Sequence, residues 1–354
     1  MDSGWAAQTV EPCDQSRYLR KTGIGAGPAA GAGHGTCQPA VRRLRKERAG
    51  TRRRGGRIVQ TPALPGLLRT WGWQMKVWIA GAGYGRGTVV DESEARIPVV
   101  DHGITVGDGV FETVRARGGR PFALTRHLRR LARSAEGLGM AEPDLELIAD
   151  GVARAVAANP DLSDARVRIT VTDGAGPLGS DRSPGEQTAI VALGPFPGIA
   201  PHADVATVPW PRNEFGALAG LKTTSYADNV RALAYAKQRG AGEALFRNVS
   251  GNLCEGTGSN VFVVLDGRLV TPPLSAGPLA GITRELVLEW FGGEEEDVPM
   301  ERLPEVTEAF LTSTGRDVQA ILHVDGRTVS AEPGPVTAKA ASVFAERSAA
   351  DIDP

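Results

Sequence analysis

The 354-residue sequence has few of the residues that build disulfide frameworks and zinc sites, and it has no long apolar run. Its three cysteines, Cys13, Cys37 and Cys254, lack metal-ligand spacing, and no two of its five histidines stand four residues apart. A disulfide framework and a zinc site are therefore not expected. No run of 18 apolar residues predicts a membrane span, and no secretory pattern opens the chain. These features predict a cytoplasmic protein.

Charge is distributed unevenly along the chain, although the net charge is −1. Residues 1–74 hold 13 Lys/Arg against 4 Asp/Glu, a net of +9, which leaves −10 for the remainder. This first segment has no sustained apolar period, so we predict a disordered basic tail. Such a tail can bind nucleic acid or resemble a transit peptide, but it lacks the interleaved aromatics that stack on bases. Because Met75 begins MKVWIAG, a predicted strand, a start codon assigned too far upstream explains the tail best.

After the tail, strand patterns alternate with helix patterns. KVWIAG, GVFETVRARGG and ARVRITVTDG read as strands, whereas TRHLRRLARSAEGLG and LELIADGVARAVAANP read as helices. Residues 194–201, GPFPGIAP, have the proline and glycine content of a linker. We therefore predict an α/β (α+β) fold with a small N-terminal domain over 75–193 and a larger C-terminal domain over 202–348. In the latter, NVFVVLDGRLVTPP predicts a hairpin turned at Asp266 and Gly267.

A glycine-rich stretch at 77–87, VWIAGAGYGRG, invites a dinucleotide-binding interpretation. Gly81 and Gly83 fit the first and third positions of that fingerprint, but Arg86 occupies the sixth, and no helix pattern follows. A glycine-rich hairpin explains the stretch better.

Lys222 stands in GLKTTSYADNVRAL, after an apolar turn and with no acidic residue until Asp228. A buried lysine without a fixed carboxylate partner has a lowered pKa, so its neutral amine can attack a carbonyl or move a proton. The alternative to this chemical interpretation is that Lys222 is a solvated surface residue, as most single lysines are. The hydroxyl residues from Thr223 to Tyr226 favour the chemical interpretation, because they can orient a bound ring.

Glu255 lies in a glycine-rich turn, GNLCEGTGSNVFVV, before an apolar strand. An acid beside a heteroaromatic nitrogen keeps that nitrogen protonated, which pyridoxal phosphate requires; a carboxylate that caps turn amides is the alternative. The helix start AGITRE and the hydroxyls of TSTG at 312–315 suit a phosphate, and Arg130 adds a positive charge. The corresponding alternatives are a helix cap for AGITRE, a turn for TSTG and a solvated helix face for Arg130.

Together these residues resemble the class IV aminotransferase family, the fold-type IV pyridoxal-phosphate enzymes, over about residues 76 to 345. The resemblance implies a two-domain homodimer with pyridoxal 5'-phosphate in the cleft between the domains. It implies that Lys222 is the Schiff-base lysine and general base, and that Glu255 is the partner of the pyridine nitrogen. The remaining cofactor-binding positions that it implies are Arg130, Tyr226, Gly281, Ile282, Thr283, Ser313 and Thr314.

The reaction is predicted from smaller signals. VGDGVFETVR at 106–115 resembles the subgroup of aminodeoxychorismate lyases and D-amino acid aminotransferases. The strand RVRIT places Arg166 and Arg168 on one face, and Arg168 is at the position that the family uses for a substrate carboxylate. Thr170 stands where the D-amino acid enzymes have the second member of an arginine–histidine pair.

These signals favour 4-amino-4-deoxychorismate lyase, which releases pyruvate and forms 4-aminobenzoate for folate synthesis. Transamination of branched-chain or D-amino acids is the alternative. A nucleic-acid-associated protein that acts through the basic tail is the remote alternative.

Overall fold

The computed structural model describes residues 75–183 and 185–354, which form two β-sheets with helices packed against them. The predictions made for segment 1–74 lie outside the described residues. Within the described ranges, no helix combines the length and the apolar character that crossing a membrane requires.

The first sheet contains six antiparallel strands in the order β2-β1-β6-β5-β3-β4. Its strands are β1 (Lys76–Ala80), β2 (Thr88–Asp91), β3 (Gly109–Arg117), β4 (Arg120–Pro121), β5 (Ala165–Thr172) and β6 (Thr188–Pro195). Three helices belong to this part of the chain: α1 (His102–Thr105), α2 (Leu124–Gly137) and α3 (Leu145–Ala157).

Alternation along β5 decides which side chains of the first sheet enter the core. Val167, Ile169 and Val171 are buried in an apolar cluster with residues of α2 and α3. Because successive strand residues point to opposite faces, Arg166 and Arg168 project from the other face. The strand thus brings two arginines to one side of the sheet.

The second sheet is mixed and contains nine strands. They are β7 (Ala203–Thr207), β8 (Glu243–Arg247), β9 (Leu253–Gly256), β10 (Asn260–Leu265), β11 (Arg268–Thr271), β12 (Glu294–Glu295), β13 (Glu308–Ser313), β14 (Asp317–Val324) and β15 (Arg327–Thr328). Their order is β12-β11-β10-β13-β14-β7-β8-β9, with β15 beside β14. The helices of this part are α4 (Ala227–Lys237), α5 (Ile282–Trp290) and α6 (Pro335–Ala350).

Strand β10 is buried along its whole length, as its continuous apolar run predicts. Phe262 of β10 stacks on Phe310 of β13 with ring centroids 4.8 Å apart. Residues of α5 and α6, including Leu286 and Phe344, complete the cluster around these rings. The start of α5 is thereby fixed over the sheet, beside the ends of β10 and β13.

The predicted mixed α/β fold is confirmed. The hairpin at Asp266 and Gly267 is present, and both residues have positive φ, 52° and 74°. The glycine-rich stretch at 77–87 forms the β1–β2 hairpin rather than a dinucleotide-binding turn. Of the predicted linker 194–201, the first two residues belong to β6, and the others lead towards β7.

Candidate active site

A cavity of about 810 Å³ is lined by residues of both sheets and of the helices α2, α4 and α5. All ten predicted site residues line it: Arg130, Arg168, Lys222, Tyr226, Glu255, Gly281, Ile282, Thr283, Ser313 and Thr314. They come from distant parts of the sequence, so the fold brings together what was predicted from separate motifs.

Lys222 lies five residues before α4, in an extended segment that is held against β3. The Phe111 amide donates to the Lys222 carbonyl oxygen at 3.0 Å, and the Lys222 amide donates to the Ser134 hydroxyl at 3.2 Å. The ammonium nitrogen is 4.4 Å from the centroid of the Phe111 ring. No carboxylate in the described part of the chain forms an ion pair with it. Burial, followed by the charge of Arg130, lowers the pKa of Lys222 to about 8.

Glu255 is a buried residue of β9 with two fixed partners. Its Oε2 accepts a hydrogen bond from the Leu279 amide at 2.9 Å, and its Oε1 lies 3.3 Å from Nε of Arg212. Burial raises the pKa of Glu255 above its usual value, although Arg212 opposes that effect. A buried carboxylate in this condition is stabilised by a further positive charge, such as a protonated ring nitrogen.

The start of α5 supplies backbone amides to the cavity. Gly281 precedes the helix, and a Cβ at that position would overlap Oδ1 of Asn260. The Asn260 side chain donates to the Leu279 carbonyl at 2.8 Å, which fixes the turn leading into the helix. Because the first amides of a helix have no partners within it, those of Ile282 and Thr283 can bind an anion.

Arg130 is buried on α2 and is held by a carboxylate that was not among the predicted site residues. Its Nε and Nη2 each donate to Glu112 at 2.7 Å, and its Nη1 donates to the Ala280 carbonyl at 3.0 Å. His127 Nδ1 lies 2.7 Å from the same carboxylate. Burial would raise the pKa of Glu112, but the charges and hydrogen bonds of Arg130 and His127 lower it well below its usual value.

Two consequences follow for Arg130. Glu112 fixes the orientation of the guanidinium, which a solvated helix face would not do. The carboxylate also balances much of its positive charge. Since arginine has five N–H donors and three are used here, two remain for an anion.

Ser313 ends β13, and Thr314 follows it in a turn beside the same cavity. Thr312, one residue earlier, is 1% exposed. Its hydroxyl has no hydrogen-bond partner within the described residues. A buried unpaired hydroxyl beside a cavity is consistent with a ligand that supplies the missing partner.

Arg168 and Tyr226 surround the ring of Phe111. The guanidinium carbon of Arg168 is 3.3 Å from the ring centroid, and Tyr226 meets the ring edge-on with centroids 5.0 Å apart. Nε of Arg168 donates to the Thr170 hydroxyl at 3.2 Å. Burial lowers the pKa of Arg168 to about 10 and raises that of Tyr226 to about 12.

Glu112, His127 and Arg212 are the residues near the predicted positions that sequence reasoning missed. A signal for Glu112 was available, because it is an acid in the otherwise apolar start of β3. His127 and Arg130 are three residues apart on α2, which places them on one helix face. Nothing in the local sequence around Arg212 indicates its pairing with Glu255.

The fold and this set of residues define a two-sheet enzyme of the aminotransferase type. Residues 109–324 match the family model described as Amino-transferase class IV. The chain therefore belongs to the class IV aminotransferases. The resemblance inferred from the motifs is confirmed.

Several relatives cover most of the chain. A D-alanine aminotransferase of Staphylococcus haemolyticus is 30% identical over 272 residues, which span 71% of this chain and 92% of the relative. A protein of Methanocaldococcus jannaschii, whose name marks it provisionally as a branched-chain-amino-acid aminotransferase, is 35% identical over 272 residues. The match spans 74% of this chain and 94% of that protein. The solved branched-chain aminotransferase of Thermoproteus uzoniensis is 31% identical, has a TM-score of 0.71, and aligns over 77% of this chain and 94% of its own.

Class IV aminotransferases use pyridoxal 5'-phosphate, so this is the cofactor of the family to which the chain belongs. The residues lining the cavity fit it chemically. They provide an amine without an acidic partner, a buried carboxylate whose pKa is raised, helix-start amides and an unpaired buried hydroxyl. The amine matches an aldehyde, the carboxylate matches a pyridine nitrogen, and the amides and the hydroxyl both match a phosphate.

Proposed function

We propose that Lys222 anchors pyridoxal phosphate covalently and acts as the general base. The observation that carries this proposal is the buried amine of Lys222, which lines the cavity without an acidic partner in the described part of the chain. Burial also lowers its pKa to about 8, which favours the neutral amine. When bound, the cofactor supplies an electron-withdrawing ring that weakens the C–H bond beside a substrate amino group. Once the substrate amino group has taken the place of Lys222 in the covalent link, the freed Nζ of Lys222 would remove that proton and later give it back.

The other residues bind and orient. Glu255 would keep the ring nitrogen protonated, and its contacts with Arg212 and the Leu279 amide hold the carboxylate in place. We assign the phosphate to the α5 amides of Ile282 and Thr283, the two remaining donors of Arg130, and the hydroxyls of Thr312, Ser313 and Thr314. The rings of Tyr226 and Phe111 would limit the movement of the bound ring.

Arg168 is the proposed binding residue for a substrate carboxylate. It lines the cavity, and its side chain has no acidic partner in the described part of the chain, only the Thr170 hydroxyl. Arg166, two residues earlier on the same face of β5, also lines the cavity without an acidic partner there. A charged carboxylate entering the cavity would therefore meet arginines whose charge is not already balanced.

Transamination of an amino acid is the reaction that has the best support. The relatives reported above carry the names of D-alanine and branched-chain-amino-acid aminotransferases. Release of pyruvate from aminodeoxychorismate is the second candidate. Thr170 weakens one of its rivals, because a neutral hydroxyl bonded to Arg168 replaces the second cation expected of a D-amino acid enzyme. It does not separate the lyase from a branched-chain aminotransferase.

Two experiments test these proposals. Borohydride reduction of the cofactor-loaded protein, followed by peptide mapping, is expected to label Lys222; the label should vanish in Lys222→Ala and persist in Lys237→Ala, which alters an exposed lysine. A label elsewhere would disprove the anchor. The purified protein is then given L- or D-amino acids with 2-oxoglutarate, and separately aminodeoxychorismate. A new keto acid with glutamate supports transamination, whereas pyruvate with 4-aminobenzoate supports the lyase.

The predicted homodimer and cytoplasmic location stay predictions that rest on the resemblance and on the sequence. Nucleic-acid binding by residues 1–74 also stays a remote prediction. Deleting that segment tests whether it contributes to the chemistry, since unchanged activity of the shortened protein would show that it does not.

A further inference from the structure

The start of α2 has no side-chain cap of its own. Ala123 occupies the capping position with φ 52°, a left-handed conformation that is uncommon for a residue with a Cβ. It offers no side-chain oxygen to the amides of the first turn, which need acceptors. In this protein the acceptors come from residues more than 200 positions away in the sequence.

Residues 351–354, here called the capping segment, follow α6 and supply these acceptors. The Ile352 carbonyl accepts from the Ala123 amide at 2.7 Å. Asp353 accepts from the Thr125 amide at 3.0 Å and from the Thr125 hydroxyl at 2.6 Å. The carboxylate also places a negative charge at a helix start, where the helix dipole favours it.

Arg126 connects the capping segment to α5. Its Nε donates to the Pro354 carbonyl at 2.8 Å. Its Nη1 contacts Glu285 at 2.7 Å and Glu289 at 2.8 Å, both on α5. The segment, α2 and α5 are therefore joined by one guanidinium.

Both helices bring groups to the proposed phosphate site. Arg130 lies one turn after Arg126 on α2, and His127, in the first turn, shares the Glu112 carboxylate with it. Ile282 and Thr283 lie one turn or less before Glu285 on α5. Loosening the first turn of α2 would release His127 from Glu112 and leave Arg130 less well fixed.

We propose that the capping segment positions the phosphate-binding groups on α2 and α5, with Asp353 as the main positioning residue. This inference rests on the proposed phosphate site and goes beyond it, because none of the capping residues lines the cavity. The segment acts through Thr125 and Arg126, and it never touches the cofactor. Its effect should therefore depend on whether the ligand has a phosphate.

The experiment compares the affinity of the apoprotein for pyridoxal phosphate with its affinity for pyridoxal, which lacks the phosphate. Asp353→Ala is expected to weaken pyridoxal phosphate binding by about threefold to tenfold and to change pyridoxal binding by less than about twofold. Thr125→Val, which removes only one hydrogen bond of the cap, should show the same selective loss to a smaller extent.

Asp144→Ala is the matched control for lost helix stability. Asp144 caps α3 by accepting from the Leu147 amide at 2.9 Å, and no residue of α3 lines the cavity. Both alanine variants should lower the melting temperature to a similar extent, but only Asp353→Ala should weaken phosphate-dependent binding. Equal losses for pyridoxal phosphate and pyridoxal, or no loss for either, would overturn the inference.

Arg130→Lys separates this inference from the proposed function. If the wild type prefers pyridoxal phosphate, and Arg130→Lys reduces that preference while Asp353→Ala does not, only the role of the capping segment is wrong. If the wild type binds both ligands equally, the phosphate site itself is wrong, and the inference falls with it.

Discussion

Replacing Glu112 by glutamine should destabilise the folded protein strongly, because the Glu112 carboxylate balances the positive charge of Arg130 in a buried cluster. Its side chain is fully buried, and it accepts two hydrogen bonds from Arg130 and contacts His127. Glutamine keeps the size of the side chain but removes its charge and presents N–H groups where acceptors are needed. Removing one partner of a buried ion pair typically costs about 3–5 kcal/mol. We expect a loss near the lower end of that range.

The measurement is the free energy of unfolding in denaturant. Glu294→Gln is the control, because Arg268 and Glu294 are also 2.7 Å apart but the Glu294 side chain is 58% exposed. That change should cost less than about 1 kcal/mol, since exposed ion pairs contribute little. A loss for Glu112→Gln no larger than that of the control would refute the reasoning. The same variant should also bind pyridoxal phosphate more weakly, because Arg130 would lose its fixed orientation.

The pH dependence gives a second test of the same residue. The pKa of Glu112 is lowered in the folded protein, so its carboxylate contributes stability above the ordinary pKa of about 4.5. That contribution is lost progressively as the pH falls further. The difference in unfolding free energy between wild type and Glu112→Gln should therefore narrow as the pH falls below about 4.5. A difference that stayed constant down to the lowest accessible pH would contradict the assignment.

Three further changes test other parts of the site. Glu255→Gln should retain the cofactor but slow proton abstraction about tenfold or more, because an amide cannot balance a protonated ring nitrogen. Single-turnover kinetics measure this rate, and a wild-type rate would contradict the role of Glu255 as partner of the ring nitrogen. Arg168→Gln should raise KM for a carboxylate substrate about tenfold or more through loss of a charged hydrogen bond, which steady-state kinetics detect. Gly281→Ala should cost about 1–3 kcal/mol of stability by displacing Asn260, whereas Gly179→Ala, where an added Cβ meets nothing within 4 Å, should not.

Local sequence was sufficient for the elements whose pattern is local. The helix predicted from TRHLRRLARSAEGLG, the hairpin at Asp266 and the helix start at AGITRE are all present, at α2, at the β10–β11 turn and at α5. Each depends on residues within a few positions, such as the apolar spacing of α2 or the turn preference of Asp-Gly. Strands β9 and β14 were not predicted. Strand β9 lies in a glycine-rich stretch that has the composition of a turn, whereas β14 carries apolar residues at 318, 320, 322 and 324, an alternation from which a strand could have been predicted.

The site was predictable as a set of motifs but not as a set of contacts. Glu112 and Arg130 are 18 residues apart, and Arg212 and Glu255 are 43 apart. Their pairing therefore depends on how β3 packs against α2 and on how the chain around Arg212 packs against β9. The cap that Asp353 provides to α2 spans 228 residues. No local pattern indicates such pairs, since an acid near a chain end is usually solvated.

These long-range contacts explain why Lys222 has no acidic partner in a cavity that contains acids. The charges of Glu112 and Glu255 both act on Lys222 and would raise its pKa. Glu112, however, is bound by Arg130 and His127, and Glu255 is paired with Arg212 and the Leu279 amide. Because each carboxylate is already engaged, neither closes an ion pair with the amine, and burial and the neighbouring arginines lower its pKa. The lowered pKa of Lys222 therefore depends on the partners that the surrounding carboxylates already have.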